Sequence, residues 1–148
     1  MSIVEKLKPL EGRELGVGEW MEITQERINA FAGATDDHQW IHVDPEAAAK
    51  GPFGKTIAHG YLTLSLIPAL AGSMTLPVEG IKMGINYGLN RVRFIAPVPV
   101  GSRIRARRKM QEVREVPGGA QLTVEVTIEL EGSEKPACVA ETVSRVYT

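Results

Sequence analysis

Asp37 and His42 stand five residues apart in the run Asp36-Asp37-His38-Gln39-Trp40-Ile41-His42-Val43-Asp44-Pro45. A carboxylate beside an imidazole, which titrates near neutral pH, is the equipment of general acid–base chemistry. An offset of five is a rotation of about 140° on a helix, and it points to opposite faces on a strand. The two side chains therefore meet only if the backbone between them bends irregularly. Asp36 to Gln39 is polar, turn-prone and without an apolar period, which favours such a bend. From spacing alone a second reading stands beside this one: a solvated loop leading into a helix.

The composition narrows the setting. A chain of 148 residues fits one domain, 1–148, with a core of its own. No linker, repeat or low-complexity tract divides it. A formal net charge of −1 supplies no basic field for nucleic acid. The single cysteine, Cys138, excludes an internal disulfide and a Cys-rich metal site. Met1 to Leu10 alternates charges with single apolar residues, so it reads as neither a signal peptide nor a span. No later run approaches the roughly 18 apolar residues a span needs. The expected compartment is the cytoplasm.

The elements that must position the pair can be read from period and punctuation. Gly18 to Ile23 reads as a short strand with Trp20 packing inward. Thr24 caps a helix whose stripe is Ile28, Phe31 and Ala32, running to about Ala34. Asp44 is an N-cap with Pro45 at the first helical position, and Gly51-Pro52 ends that helix. His42 thus falls just upstream of a helix start. A longer helix runs from Ile57 or Gly60 to Leu70. It is apolar nearly all round and so reads as buried, with Pro68 kinking it or tightening its last turn. Gly72 to Gly80 is a loop.

From Ile81 the period changes from helix to strand. Strands are expected over Asn86 to Phe94, Ser102 to Val116, Leu122 to Leu130 and Pro136 to Tyr147. The third alternates strictly, with Thr123, Glu125, Thr127 and Glu129 on its outer face. Helices early and strands late give an α+β layout, an antiparallel sheet on one long helix. The apolar surface left over favours a dimer. Between the two long strands, a loop of Gly118-Gly119-Ala120 would set Lys109 opposite Glu129 and Arg107 opposite Glu131. A two-residue Gly118-Gly119 turn would set Glu112 opposite Glu125 instead.

Other constellations compete for attention. His38 and His42 are four apart and His59 could add a third zinc ligand, but a four-residue clamp needs a helix where this stretch reads as loop. His38 alone reads as a solvated residue. His59 reads as a structural residue bonding the loop ahead of the helix. The comb Arg103, Arg105, Arg107 could hold phosphates, or pair with Glu129 and Glu131 on a solvated strand face. Ser65 and Cys138 have no partner motif and are not assigned as nucleophiles.

The string from Phe31 to His42, with Ala48 following, resembles the signature of the MaoC-like, R-specific enoyl-CoA hydratases: an aromatic residue, small residues, then Asp-x-Asn-Pro-aliphatic-His. Ile57-Ala58-His59-Gly60 resembles a second block of that family, and Tyr87-Gly88, Val92-Arg93-Phe94, Pro97-Val98 and Gly101 a third. The match covers residues 31 to 101, about half the chain, and is nearest to the nodulation protein N type. The resemblance implies a hot-dog fold, with a long central helix wrapped by an antiparallel sheet and paired into a homodimer. It implies reversible hydration of trans-2-enoyl thioesters of CoA or acyl carrier protein, with no metal and no redox cofactor. Asp37 and His42 match the catalytic pair, and Gly60 the glycine whose N–H polarises the thioester carbonyl. Gln39, Trp40 and His59 are possible supporting residues. The family's Asn, Pro and preceding Gly are here Gln39, Trp40 and Asp36. A thioesterase on the same fold, or a non-catalytic acyl-thioester binder, are the alternatives.

Overall fold

The computed structural model describes residues 1–72 and 76–148. The middle of the expected Gly72 to Gly80 loop therefore lies outside the described residues.

The chain opens with a helix that its charge alternation had hidden. In α1 (Ile3–Leu7) the Ser2 hydroxyl accepts from the Glu5 N–H and the Glu5 carboxylate accepts from the Ser2 N–H, a reciprocal cap. Ile3 and Leu7 are its buried face. Strand β1 (Glu14–Val17) was not expected. The expected strand over Gly18 to Ile23 shrinks to β2 (Met21–Glu22). Trp20 lies half-buried just outside β2, with the Arg105 guanidinium 4.3 Å over its ring, rather than packing inward.

Helix α2 (Gln25–Thr35) starts where Thr24 was expected to cap it. The Thr24 hydroxyl accepts from the Arg27 N–H at 3.1 Å, and Ile28 and Ala32 face the core. A helical turn, α3 (Trp40–Val43), then carries His42, where the sequence reads as loop. Helix α4 (Pro45–Ala49) has the foreseen cap, with the Asp44 carboxylate accepting from the Ala47 N–H.

The expected long helix is two short ones, α5 (Gly60–Ser65) and α6 (Ile67–Ala71), joined at Leu66. Pro68 has no N–H to give the Leu64 carbonyl and crowds it, which is the kink the sequence predicted. Burial is one-sided. Leu62, Leu66 and Leu70 enter the core, whereas Tyr61 and Ser65 stay exposed. The all-round burial expected of this helix is absent from the single chain.

Four strands complete the fold: β3 (Met83–Phe94), β4 (Arg103–Val116), β5 (Gly119–Leu130) and β6 (Cys138–Tyr147). All pairs are antiparallel, in the order β1-β4-β5-β6-β3, with β2 also on β4. Ile104, Ala106 and Met110 of β4 and Leu122, Val124, Val126 and Ile128 of β5 form one core with Leu62, Leu66, Leu70 and α1. This is the α+β arrangement read from the sequence.

The β4–β5 register differs from both expectations. Val116 pairs with Gly119, so the turn is Pro117-Gly118. Proline presets the first corner, and Gly118 at φ +80° supplies the left-handed second one. An extra residue, Gln111, bulges from β4 between Met110 and Glu112. Lys109 consequently faces Glu125, not Glu129, and Glu112 faces Thr123, not Glu125. The arginine comb is paired along the outer face: Arg105 to Glu129 at 2.6 Å and Arg103 to Glu131 at 2.6 Å, with Arg107 reaching Glu14 at 2.5 Å.

The turn supplies a test. A β-carbon at Gly118 meets only the Tyr147 ring, at an ordinary 3.8 Å, but sits at positive φ, whereas one at Gly119 would lie 1.9 Å from the Val146 carbonyl oxygen. Gly118→Ala is expected to lower stability by about 1–2 kcal/mol, the cost of a left-handed L-residue. Gly119→Ala is expected to cost more, because a backbone must move. Urea melts of the two variants check the order; equal midpoints would contradict this register.

Candidate active site

The bend between Asp37 and His42 is built in three steps. Helix α2 ends at Asp36, which takes the left-handed conformation at φ 58°, ψ 28°. Aspartate tolerates that region better than most L-residues. Asp37 then turns its carboxylate back to accept from the Gln39 N–H at 3.4 Å. Gln39 caps α3 with its main chain, its carbonyl accepting from the His42 N–H at 3.0 Å. One α-helical turn carries His42 round to the same side as Asp37.

His42 is 7% exposed, and its ring is fixed by one bond: Nδ1–H donates to the Ile57 carbonyl at 2.7 Å. A carbonyl only accepts, so the proton sits on Nδ1 and neutral His42 presents a lone pair at Nε2. The Ile57 carbonyl is itself held by its strand-like neighbours. The Ile57 N–H donates to Ile41 at 3.0 Å, Ala58 N–H to Val98 at 2.8 Å, and Val100 N–H to Thr56 at 2.9 Å. Gln25 locks the other side. Its amide donates to the His42 carbonyl at 2.8 Å and its oxygen accepts from the Thr56 hydroxyl. Spacing gave no signal for Gln25 or Thr56; a helix-first-turn glutamine facing inward, toward a buried threonine, is visible only in three dimensions.

His59 completes the cluster. It is 2% exposed, its ring stacks on His42 with centroids 3.9 Å apart and planes 24° apart, and its Nε2–H donates to the Asp37 carbonyl at 2.9 Å. The expectation of a structural bond to the loop is met. One polar atom from each of Asp37, His42 and His59 lies within 4.8 Å of the others. This is a different trio from His38, His42 and His59, since His38 is exposed. Each ring keeps one nitrogen on a carbonyl and one free of it, an arrangement that can serve proton transfer.

Gly60 follows His59 and opens α5, so its N–H is among those a helix leaves without an internal partner. The Phe94 ring lies 3.1 Å from where a Gly60 β-carbon would be, so glycine permits the close approach. Gln39 contributes through its main chain. Trp40 is 44% exposed and lies on Gly51, whose β-carbon would meet its ring at 2.9 Å. It is therefore a clasp between α3 and the end of α4, not a core anchor.

Burial is the largest influence on His42 and holds its pKa below the ordinary imidazole value. The Ile57 carbonyl raises it, His59 lowers it and Asp37 raises it, and none of these reverses the sense. His42 is thereby kept neutral, the state in which Nε2 can accept a proton.

The family model described as MaoC like domain matches residues 6–132. The chain is 57% identical over 143 residues to 3-hydroxyacyl-thioester dehydratase Z of Mycobacterium tuberculosis, covering 96% of this chain and 94% of that one. It is 50% identical over 132 residues to nodulation protein N of Rhizobium leguminosarum bv. viciae, covering 87% and 81%. The solved (R)-hydratase from A. caviae superposes with a TM-score of 0.70 at 29% identity, covering 87% of this chain and 95% of that one.

The depressed His42 pKa has a signed consequence. Unfolded, His42 takes up its proton near 6.5; folded, it does so only at lower pH. Between those points the unfolded state binds more protons, so this contribution is whole above 6.5 and is lost as pH falls through the window. Urea midpoints measured on either side should fall on acidification, and His42→Gln should flatten that fall. An unchanged slope in the variant would show that His42 does not carry the effect.

Proposed function

The chain belongs to the MaoC-like domain family, and from that premise we propose that it adds water reversibly to a trans-2-enoyl thioester, giving the R-3-hydroxyacyl thioester. It is a lyase acting on acyl-CoA, or on the corresponding acyl carrier protein thioester. The observation that carries this reading is the convergence of Asp37 and His42 at the opening turn of α5, beside Gly60.

The reaction asks for three things. A water must lose a proton as its oxygen bonds C3. The displaced electron pair must rest on the thioester oxygen as an enolate. A proton must then reach C2. Asp37 and His42 hold one water between them and handle both protons, with His42 Nε2 as an acceptor already in the right tautomer. The Gly60 N–H faces the carbonyl oxygen, where a fixed donor of this kind is worth about 10²–10³ in rate. No other reactant is consumed, and the chemistry calls for no cofactor.

An apolar cavity of about 630 Å³ is a place for the acyl chain. It lies along the flank of α5 and α6 and is lined by Leu64, Ile67 and Pro68 and by Leu122, Val124 and Val126 of β5. Leu64 is one helical turn from Gly60. A cytoplasmic setting belongs to this reading. The one cysteine is buried and free, in keeping with a reducing compartment, and no helix among the described residues is long and apolar enough to cross a membrane.

The working form is a homodimer. Strand β3 ends the sheet, and of its twelve residues only Val92 is not exposed. Met83, Ile85, Tyr87 and Leu89 are each about half exposed or more, on an edge with unpaired backbone groups. A second copy covers both. Sedimentation at micromolar concentration is expected to give twice the 16.1 kDa chain mass, and a folded monomer there would rule the homodimer out.

Loss of enoyl-CoA absorbance reads the activity. Asp37→Asn and His42→Ala should each lower it by about 10²–10⁴. Because both serve one water, the double variant should lose little more than either single one. His38→Ala, an exposed residue outside the trio, should stay within a few-fold of wild type. Losses that multiply in the double variant would refute the shared water. Thiol release without hydration would make the chain a thioesterase, and acyl-CoA binding without either would make it a binder.

A further inference from the structure

We propose that His59 is a positioning residue for the Asp37–His42 pair, holding Asp37 through its main-chain carbonyl and His42 through the face of its ring. The inference rests on the hydratase reading above and deepens it.

His59 touches both members at once. Its Nε2–H donates to the Asp37 carbonyl across 22 positions of sequence, and its ring lies 3.9 Å from that of His42. Its own orientation is over-determined. Phe31 of α2 also packs on it, tilted, with centroids 4.9 Å apart, and the main chain at His59 is the N-cap of α5. The imidazole spends no hydrogen bond on that cap. A residue retained for the cap alone would be a serine, threonine or aspartate. Its Nδ1 is buried without a hydrogen-bond partner among the described residues, a cost that a purely structural residue would have no reason to carry. The bonded Nε2 and the ring face are what the fold obtains in return.

The stacking also links charge to position. Two imidazolium rings at this spacing repel, so the cluster favours one proton over two. The ionisable groups that act on His42 are His59 and Asp37. The residues that α2 brings to the two histidines, Gln25 at the His42 carbonyl and Phe31 at the His59 ring, do not ionise. The strap behind them presents the Ile57 carbonyl and the Thr56 hydroxyl, which do not ionise in this range either. His59 opposes protonation of His42 electrostatically and by covering one face of its ring.

The test uses three variants and two readouts. His59→Phe keeps a ring against His42 and loses the N–H; His59→Gln keeps a donor and loses the ring; His59→Ala loses both. Circular dichroism and the melting temperature establish that each is folded. With enoyl-CoA, His59→Ala is expected to lower kcat by up to about 10²-fold, the cost of a displacement near 1 Å, with KM within a few-fold. Each conservative variant should recover part of that loss. Independently of activity, the His42 titration followed by nitrogen-15 NMR should move to higher pH in His59→Gln and His59→Ala, and the acid limb of kcat/KM should move with it. A His59→Ala enzyme within two-fold of wild type and with an unmoved His42 titration would overturn the proposal. So would equal losses in all three variants, since neither the donor nor the ring would then matter. If wild type hydrates no enoyl-CoA, the hydratase reading fails by itself, and the NMR titrations still decide whether His59 controls His42.

Discussion

The hydrogen bond from His42 Nδ1 to the Ile57 carbonyl is the constraint on which the site depends. It fixes the tautomer, the ring plane and therefore the direction of the free lone pair. A single carbonyl can do this only if it is itself immobile. Ile57 is immobile because its segment is stitched to Ile41 on one side and to Val98 and Val100 on the other. The connector after β3, with Pro97 and Pro99, enters the chemistry in this way without touching substrate. Its prolines stiffen the backbone that holds the Ile57 segment in place.

The same bond explains why burial of a histidine is tolerated here. One nitrogen is paired in the interior and the other looks toward the open side, so the desolvated ring is costly only when charged. Charge is what the arrangement discourages in the resting state. The neighbours divide into two kinds. Ile57 and Asp37 ease protonation, and the surrounding apolar volume and His59 resist it. A histidine with such opposed neighbours is neutral at rest, the state in which Nε2 can accept a proton.

Much of this was legible in the sequence, and the illegible parts share a cause. The caps at Thr24 and Asp44, the long strands and the kink at Pro68 follow from local chemistry, and so does a comb of arginines on Glu129 and Glu131, although Arg103 takes the Glu131 that was expected opposite Arg107. The approach of Asp37 to His42 was inferable because Asp36 to Gln39 is polar and turn-prone, but the one-turn helix that carries His42 reads as loop in the sequence. What failed depended on counting across a gap. The β4–β5 register hinges on which glycine turns and on the bulge at Gln111, and an error of one residue at each moves every pair. Strand β1 escaped notice because it has four residues and leans on β4 for its identity. Gln25 and Thr56 escaped for the opposite reason: each makes its bond to a residue far away in sequence, and nothing local marks it.

The kink between α5 and α6 separates the two ends of the central helix electrically as well as mechanically. The helix-end field that an anionic oxygen feels at Gly60 falls off within a turn, and peptide alignment is interrupted at Leu66, where ψ is −5°. The polarising power at Gly60 is therefore a property of the first few N–H groups and is insulated from whatever follows Leu66. The far half lines the apolar cavity through Ile67, Pro68 and Ala71. On the proposed reading that half can vary with the hydrocarbon tail while the Gly60 end keeps its potential, because the break at Leu66 separates the two.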